Sequence, residues 1–241
     1  MDKRHLAVAT ITWARDVREE ARLLKSVREL TSTTRRVFVT DGGSPDSLIE
    51  GLRTLKRVDV AILGEPRGLV FQVQASINRA AASGAEFILY TEPDKYEFFR
   101  DHLDDFLDRA PADPDLGIVL ASRSLASFET FPSAQQETER IFNRLCGNVL
   151  GEQLDYTYGP FLMRRSLVPI VAHMARDLGW GWRPYIFACA HRRGLRIGSV
   201  SGDYSCPAEE RLESDSAHRL AQLDQNVDGL VRSAGVSDTA R

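Results

Sequence analysis

The sequence lacks the features that would assign the protein to a membrane or to nucleic acid. It has no run of about 18 apolar residues, the length that a membrane-spanning helix requires, and residues 1–5 do not lead into an apolar segment of the signal-peptide type. The formal net charge is −3, so no basic field favours non-specific binding to nucleic acid. We therefore expect a cytoplasmic protein with no membrane span and no nucleic-acid partner.

Cysteine is scarce, and several well-known motifs are missing. Cys146, Cys189 and Cys206 are odd in number and far apart, which predicts free thiols rather than a disulfide framework or a zinc site. The sequence contains no GxGxxG fingerprint, no GxxxxGK[ST] loop and no GxSxG elbow. These absences argue against a dinucleotide dehydrogenase and against a P-loop NTPase.

What the sequence does contain is a regular alternation of apolar runs and amphipathic segments in its first half. The runs predicted as strands are 6–12, 37–39, 58–63, 87–90 and 117–121. Because helical patterns separate these runs, we predict an α/β fold with a mainly parallel central sheet and helices on both faces. In the second half, 124–136 predicts a long loop and 137–150 a helix that carries Ile141, Leu145 and Val149.

Polar residues gather where the predicted strands end. The carboxyl ends of parallel strands share one edge of a sheet, where the N-termini of the following helices also point. Glu92 and Asp94 follow the fourth strand, and their oxygens suit a divalent cation, although one of them could simply cap the next helix. Lys95 beside them could supply positive charge instead. Ser44 is predicted to cap the second helix, with Pro45 at its first position.

Two segments of the first half resemble motifs of the GT-A-type nucleotide-sugar glycosyltransferases, especially the family 2-like group. Residues 39–47 read VTDGGSPDS and resemble the family's VDDGSxD turn, with Asp41 at the first acid and Gly42 in place of the second. Residues 68–94 resemble its glycine, helix and DxD signature, which here reads EPD at 92–94.

A third segment extends this resemblance into the second half of the chain. Residues 158–166 read YGPFLMRRS and resemble the family's glycine-containing acceptor loop and the strand with paired arginines. The resemblance spans residues 6–200 or thereabouts, and the order of the motifs carries more weight than any one of them.

The resemblance implies a GT-A (Rossmann-like) fold and a transferase that moves a hexose from a UDP- or GDP-sugar to an unknown acceptor. It implies one domain over 1–241, with a nucleotide-sugar-binding half at 5–123 and an acceptor-side half with a terminal helix at 124–234. Mg²⁺ or Mn²⁺ on the diphosphate would be held by Asp94 with Glu92. The residues that it places around the nucleotide sugar are Thr10, Thr12, Asp41, Gly42, Gly43, Gly68 and Glu92. Asp41 would accept a hydrogen bond from the base.

The position of the family's general base departs from the pattern. Inverting members carry an acidic pair upstream of the glycine that ends the following helix, and here those positions hold Trp182 and Arg183. Arginine cannot take a proton from an acceptor hydroxyl at neutral pH. Arg183 could instead meet an anionic acceptor or the donor phosphate, with Tyr158, Gly159 and Trp182 on the acceptor side.

The retaining branch, which includes glucosyl-3-phosphoglycerate and mannosylglycerate synthases, is an alternative template. Members of this branch have a glycine and aromatic motif at this point, which GWGW at 179–182 resembles. They also have a histidine near the C-terminus that completes the ligands of the metal ion. His218 is the candidate for that role. Glu92, Asp94 and Arg183 are then the predicted catalytic residues.

Two other classes stay open, as does the oligomeric state, since the sequence allows an oligomer. A sugar-1-phosphate nucleotidyltransferase uses a similar sheet and metal, but it normally has a glycine-rich loop after the first strand, and residues 11–20 contain no glycine. A non-catalytic domain that binds a sugar nucleotide or a partner protein would explain the departures at Gly42, Glu92, Trp182 and Arg183.

Overall fold

The computed structural model describes residues 5–32, 35–63, 68–211 and 215–235. Contacts divide the chain into two compact units. The first unit extends to Pro111 and also includes Pro160–Arg176, and the second comprises Ala112–Gly159 and the chain from Asp177 onward. Among the described residues, every helix is too short or too polar to cross a bilayer.

Strands and helices alternate along the chain, as the sequence predicts. The strands are β1 (Leu6–Thr12), β2 (Arg36–Asp41), β3 (Val58–Ile62), β4 (Phe87–Tyr90), β5 (Leu116–Arg123), β6 (Phe161–Arg164) and β7 (Arg196–Gly202). The helices are α1 (Val17–Ser32), α2 (Asp46–Arg53), α3 (Leu69–Ala82), α4 (Leu103–Arg109), α5 (Leu125–Phe128), α6 (Ser133–Leu150), α7 (Val168–His173), α8 (Trp182–Arg192) and α9 (Ser216–Ser233).

The first unit is built around β1. Its strand order is β3-β2-β1-β4-β6, in which β1, β2, β3 and β4 pair in parallel and β6 runs antiparallel to β4. All residues of β1 are buried, as expected for a central strand covered on both faces. α3 packs against β1 and β2. The predicted α/β fold with a mainly parallel sheet and flanking helices is therefore confirmed.

The second unit contains a parallel pair of strands and a cluster of helices. β5 pairs with β7, and α6 and α8 both pack against α9. A 3₁₀ turn, Gly179–Gly181, also contacts α9. A Cβ on Gly229 would lie 2.1 Å from the carbonyl oxygen of Gly181, so the turn and the helix touch through their backbones.

The apolar face of α6 is not the one that the sequence predicts. Ile141, Leu145 and Val149 are 52%, 43% and 53% exposed, while Phe142 and Cys146 are buried. The helix carries two apolar rows one residue apart, and the row through Phe142 is the one that packs. The predicted long loop at 124–136 was also wrong in part, since it contains α5 and the first turn of α6.

Candidate functional site

The turn after β2 is organised by the carboxylate of Asp41. This residue ends β2 in register with Thr12 of β1, and it is buried. Its Oδ1 accepts hydrogen bonds from the backbone N–H groups of Gly43 and Ser44, both at 2.8 Å. Its Oδ2 accepts from the hydroxyls of Thr12 at 2.7 Å and Ser44 at 2.6 Å. Both oxygens are therefore committed to the turn itself.

Ser44 does not cap α2, contrary to the sequence prediction. Pro45 occupies the cap position, without a side-chain hydrogen bond. The Ser44 hydroxyl instead donates to Asp41 and accepts from the N–H of Ala14 at 2.8 Å. This hydroxyl thus ties the loop after β1 to the turn after β2.

Thr10 and Thr12 likewise brace the ends of neighbouring strands. The Thr10 hydroxyl donates to the carbonyl of Thr91 at 2.8 Å, and the Thr12 hydroxyl donates to Asp41. Both threonines are buried. The structure thus brings the ends of β1, β2 and β4 together at one edge, and the binding roles predicted for Thr10, Thr12 and Asp41 stay predictions.

Two of the predicted glycines present open backbone at this edge. Gly43 has φ +114° and Gly68, the residue before α3, has φ +82°, a region that side chains disfavour. Among the described residues, no atom lies within 4 Å of a Cβ placed on either of them. No side chain of the described residues caps the first N–H groups of α3, and such groups can bind an anion.

Gly42 differs from these two glycines because a side chain lies against it. The carboxamide of Gln72, on the first turns of α3, occupies the space where a Cβ of residue 42 would project. Gln72 is 8% exposed. The sequence analysis missed this residue, because no local pattern indicates that α3 meets the turn after β2 at this point.

Glu92 and Asp94 follow β4 at the same edge. Glu92 is 8% exposed. Asp94 Oδ1 is buried without a hydrogen-bond partner among the described residues, and its Oδ2 lies 3.6 Å from Lys95 Nζ. An uncommitted, buried carboxylate oxygen fits a divalent cation that takes its remaining ligands from a diphosphate and water. Within the described ranges, no three His, Cys, Asp or Glu side chains form a metal-binding group by themselves.

In the second unit, a buried ion cluster supports the segment before Tyr158. Arg123, at the end of β5, donates through Nε and Nη2 to Asp155 at 2.7 and 2.9 Å, and through Nη2 to Glu139 at 2.6 Å. Thr157 also accepts from Nη2, at 3.0 Å. The Arg123 side chain is completely buried, and the sequence analysis gave it no role.

In this cluster, the paired charges affect the pKa values of Asp155 and Arg123 more strongly than burial does. Burial alone would raise the pKa of Asp155, but the adjacent Arg123 guanidinium outweighs it and holds that pKa below its usual value. For Arg123, burial alone would lower the pKa. The neighbouring Glu139 and Asp155 carboxylates outweigh burial, so the pKa of Arg123 is raised above its usual value. Asp155 and Arg123 are therefore both ionised at neutral pH.

Tyr158 and Gly159, predicted on the acceptor side, follow this cluster directly. The Tyr158 ring stacks on Tyr204 with centroids 5.1 Å apart, and Arg123 lies 5.5 Å from its centre. Gly159 has φ +128°, which restricts the position to glycine. Ring packing and the ion cluster thus both contact this segment.

Trp182 and Arg183 begin α8, directly after the glycine turn. Trp182 is fully buried, so its indole packs in the core. Its predicted role on the acceptor side stays a prediction. The guanidinium of Arg183 lies 5.5 Å from the centre of the Trp180 ring. The backbone N–H of Trp180 donates to Gln225 Oε1 of α9 at 2.8 Å, so α9 holds this segment in place.

His218 lies in the first turn of α9 and is exposed. Its backbone N–H donates to the Asp215 side chain at 2.9 Å, which caps the helix. This hydrogen bond stabilises the start of α9 and does not involve the imidazole of His218. The metal-binding role predicted for His218 stays a prediction.

Comparisons with known proteins bear on the fold. No family model and no curated protein matches the chain. Glucosyl-3-phosphoglycerate synthase from Mycobacterium tuberculosis, solved with Mn²⁺, UDP and glucosyl-3-phosphoglycerate, is similar at TM-score 0.65 and 15% identity, over 97% of this chain and 81% of that one. Mannosyl-3-phosphoglycerate synthase from Rubrobacter xylanophilus is similar at TM-score 0.67 and 15% identity, over 98% and 77%. The predicted GT-A fold is confirmed by these similarities.

Proposed function

We propose that the protein transfers a hexose from a UDP- or GDP-sugar to an acceptor, with a divalent cation on the diphosphate. The observation that carries the proposal is the edge formed by the ends of β1, β2 and β4. There, Asp94 Oδ1 is buried without a partner among the described residues, close in sequence to Glu92 and at the same strand ends as the Asp41 turn. Similar folds in proteins solved with UDP and Mn²⁺ support the same choice.

In this proposal, Asp94 and Glu92 hold Mg²⁺ or Mn²⁺ through their carboxylate oxygens. The cation would stabilise the negative charge that develops on the departing nucleoside diphosphate. The first N–H groups of α3, which no described side chain caps, can donate to phosphate oxygens. Gly43 and Gly68 leave the backbone open for a ligand to approach closely.

The proposed acceptor is a hydroxyl compound that also carries an anionic group. One of the similar structures contains UDP-glucose together with phosphoglyceric acid, which is a compound of this kind. Arg183 is the residue that we assign to the anionic group, because its planar guanidinium pairs well with carboxylate or phosphate. Tyr158 and Gly159 are kept as the acceptor-side loop.

A second candidate is a non-catalytic domain that binds a sugar nucleotide. The Lys95 ammonium, 3.6 Å from Asp94 Oδ2, can balance the carboxylate and the diphosphate without a metal ion. Binding without transfer would also fit the arginine at position 183, where inverting relatives have an acid.

Calorimetric titration with UDP and GDP, each with and without Mn²⁺, tests the proposal. We expect one of the two nucleotides to bind, and to bind more tightly with the metal. If neither binds under either condition, the proposal is refuted. Release of free hexose from UDP- or GDP-hexose then distinguishes an enzyme from the non-catalytic candidate, which would bind the donor and leave it intact.

A further inference from the structure

Lys95 places a positive charge beside a carboxylate that the proposed function assigns to the cation. Its Nζ lies 3.6 Å from Asp94 Oδ2, and the side chains of Lys95 and Asp94 are 22% and 34% exposed. The other oxygen of this carboxylate, Oδ1, is buried and has no hydrogen-bond partner among the described residues. The two oxygens of Asp94 therefore differ, because Oδ2 is paired with an ammonium group and Oδ1 is uncommitted.

The position of Lys95 is unfavourable for the helical segment that follows it. The N–H of Phe99 donates to the Lys95 carbonyl at 3.0 Å, so a helical turn begins directly after Lys95. This segment continues through a π-helical turn, Phe98–His102, into α4. A cation is disfavoured at the N-terminus of a helix, where the backbone N–H groups already carry partial positive charge. Helix stability thus does not explain a lysine at this position, and residues that break a local rule are expected at functional sites.

An ammonium group and a divalent cation compete for the same carboxylate. While Lys95 pairs with Oδ2, Asp94 offers a cation Oδ1 alone, whereas a free carboxylate can offer both of its oxygens. The ammonium also repels a divalent cation that binds within a few ångström of it. A diphosphate reverses this relation, because its oxygens attract both positive charges at once and accept charge-assisted hydrogen bonds from an ammonium.

We propose that Lys95 couples the binding of the cation to the binding of the nucleotide. Without a nucleotide, its ammonium pairs with Asp94 and weakens the binding of a divalent cation to Asp94 and Glu92. With a nucleoside diphosphate at this edge, the ammonium donates to a phosphate oxygen, and the carboxylate is available to the cation. This inference rests on the proposed function, because it requires that a diphosphate binds at this edge.

Lys95→Met removes the ammonium and keeps most of the volume of the side chain. The first measurement is the Mn²⁺ affinity of the nucleotide-free protein, from the electron paramagnetic resonance signal of unbound Mn²⁺. A unit charge about 5 Å from a divalent cation changes its affinity about tenfold, even at the dielectric constant of water. We therefore expect Mn²⁺ to bind nucleotide-free Lys95→Met about tenfold more tightly than the wild type.

The second measurement is calorimetric titration with UDP and GDP at saturating Mn²⁺. Loss of a charge-assisted hydrogen bond to phosphate should lower the affinity of Lys95→Met for the bound nucleotide about tenfold. The two expected effects have opposite signs, whereas a variant that only distorts the edge would lose affinity for both ligands. Lys95→Arg keeps the positive charge, so it should stay close to the wild type in both measurements.

Lys25→Met is the matched control for the loss of one positive charge. Lys25 is an exposed residue of α1, and its Nζ lies 3.9 Å from the centre of the ring of Tyr96, the residue next to Lys95. This variant should match the wild type in both measurements. An equal gain of Mn²⁺ affinity in Lys25→Met would show a general effect of charge and overturn the inference.

Two further results would overturn the inference and leave the proposed function intact. One is equal Mn²⁺ affinity of the nucleotide-free wild type and Lys95→Met, and the other is a loss of affinity for both Mn²⁺ and nucleotide in Lys95→Met. In both cases the wild type would still bind UDP or GDP. A wild type that binds neither nucleotide refutes the proposed function, and the inference falls with it.

Discussion

Replacing Arg123 by methionine should destabilise the second unit strongly. The Arg123 side chain is completely buried, and it binds Asp155, whose side chain is 9% exposed, and Glu139, at 15%. Methionine would leave both carboxylates without their cation. Removing one member of a buried ion pair typically costs about 3–5 kcal/mol, because the remaining charge is desolvated and unpaired. We expect a loss of free energy of unfolding in that range for Arg123→Met.

Urea unfolding monitored by circular dichroism measures this loss, with Arg109→Met as the matched control. Arg109 pairs with Asp105 on the surface of α4, where both side chains are at least half exposed, and such pairs contribute about 0.3–0.5 kcal/mol. If Arg123→Met unfolds at the same urea concentration as Arg109→Met, the proposed energetic role of the cluster is wrong.

The pH dependence of this difference follows from Asp155. Its pKa is lowered in the folded protein by Arg123, so the stabilisation is complete above the unfolded-state pKa of about 3.9. It is lost as the pH falls further, through the lower folded-state pKa. In Arg123→Met the burial that raises the pKa of Asp155 remains, while the guanidinium that lowers it is gone, so the gap between wild type and variant should be largest near neutral pH and should narrow as the pH falls, from above about pH 4 downward. A gap that stays constant down to pH 2 would contradict the assignment.

Three smaller changes test other parts of the structure. Gly229→Ala places a methyl group against the Gly181 carbonyl, and it should cost about 1–3 kcal/mol; an unchanged thermal midpoint would contradict the contact. Asp41→Asn replaces an acceptor by a donor facing N–H groups, and it should cost about 2–3 kcal/mol in urea unfolding. Ile141→Ser should change stability by less than about 0.5 kcal/mol, whereas Phe142→Ala should cost about 3–5 kcal/mol; equal effects would refute the burial pattern of α6.

The strands of the first unit could be predicted because their signals are local. The boundaries of β1 and β4 agree with the predicted runs 6–12 and 87–90, since each is a short apolar run that ends in polar residues. The mainly parallel pairing of the strands, and the position of the candidate site at their carboxyl ends, follow from the alternation of strands and helices.

What could not be predicted depends on contacts between distant segments. The two apolar rows of α6 have the same helical period, and only packing selects the row of Phe142 over that of Ile141. Ser44 has the sequence environment of a helix cap, but its hydroxyl donates a hydrogen bond to the buried Asp41 carboxylate instead. Gln72 carries no local signal at all, because its position follows from the approach of α3 to the turn after β2.

The central claim is that the edge containing Asp94 binds a nucleotide diphosphate through a divalent cation. The most direct test is the Mn²⁺ dependence of UDP and GDP affinity in the wild type, in Asp94→Asn and in Asp108→Asn, an exposed acid on α4 that serves as control. We predict that Mn²⁺ tightens nucleotide binding in the wild type and in Asp108→Asn, and that Asp94→Asn loses most of this effect. Equal tightening in all three proteins would contradict the claim.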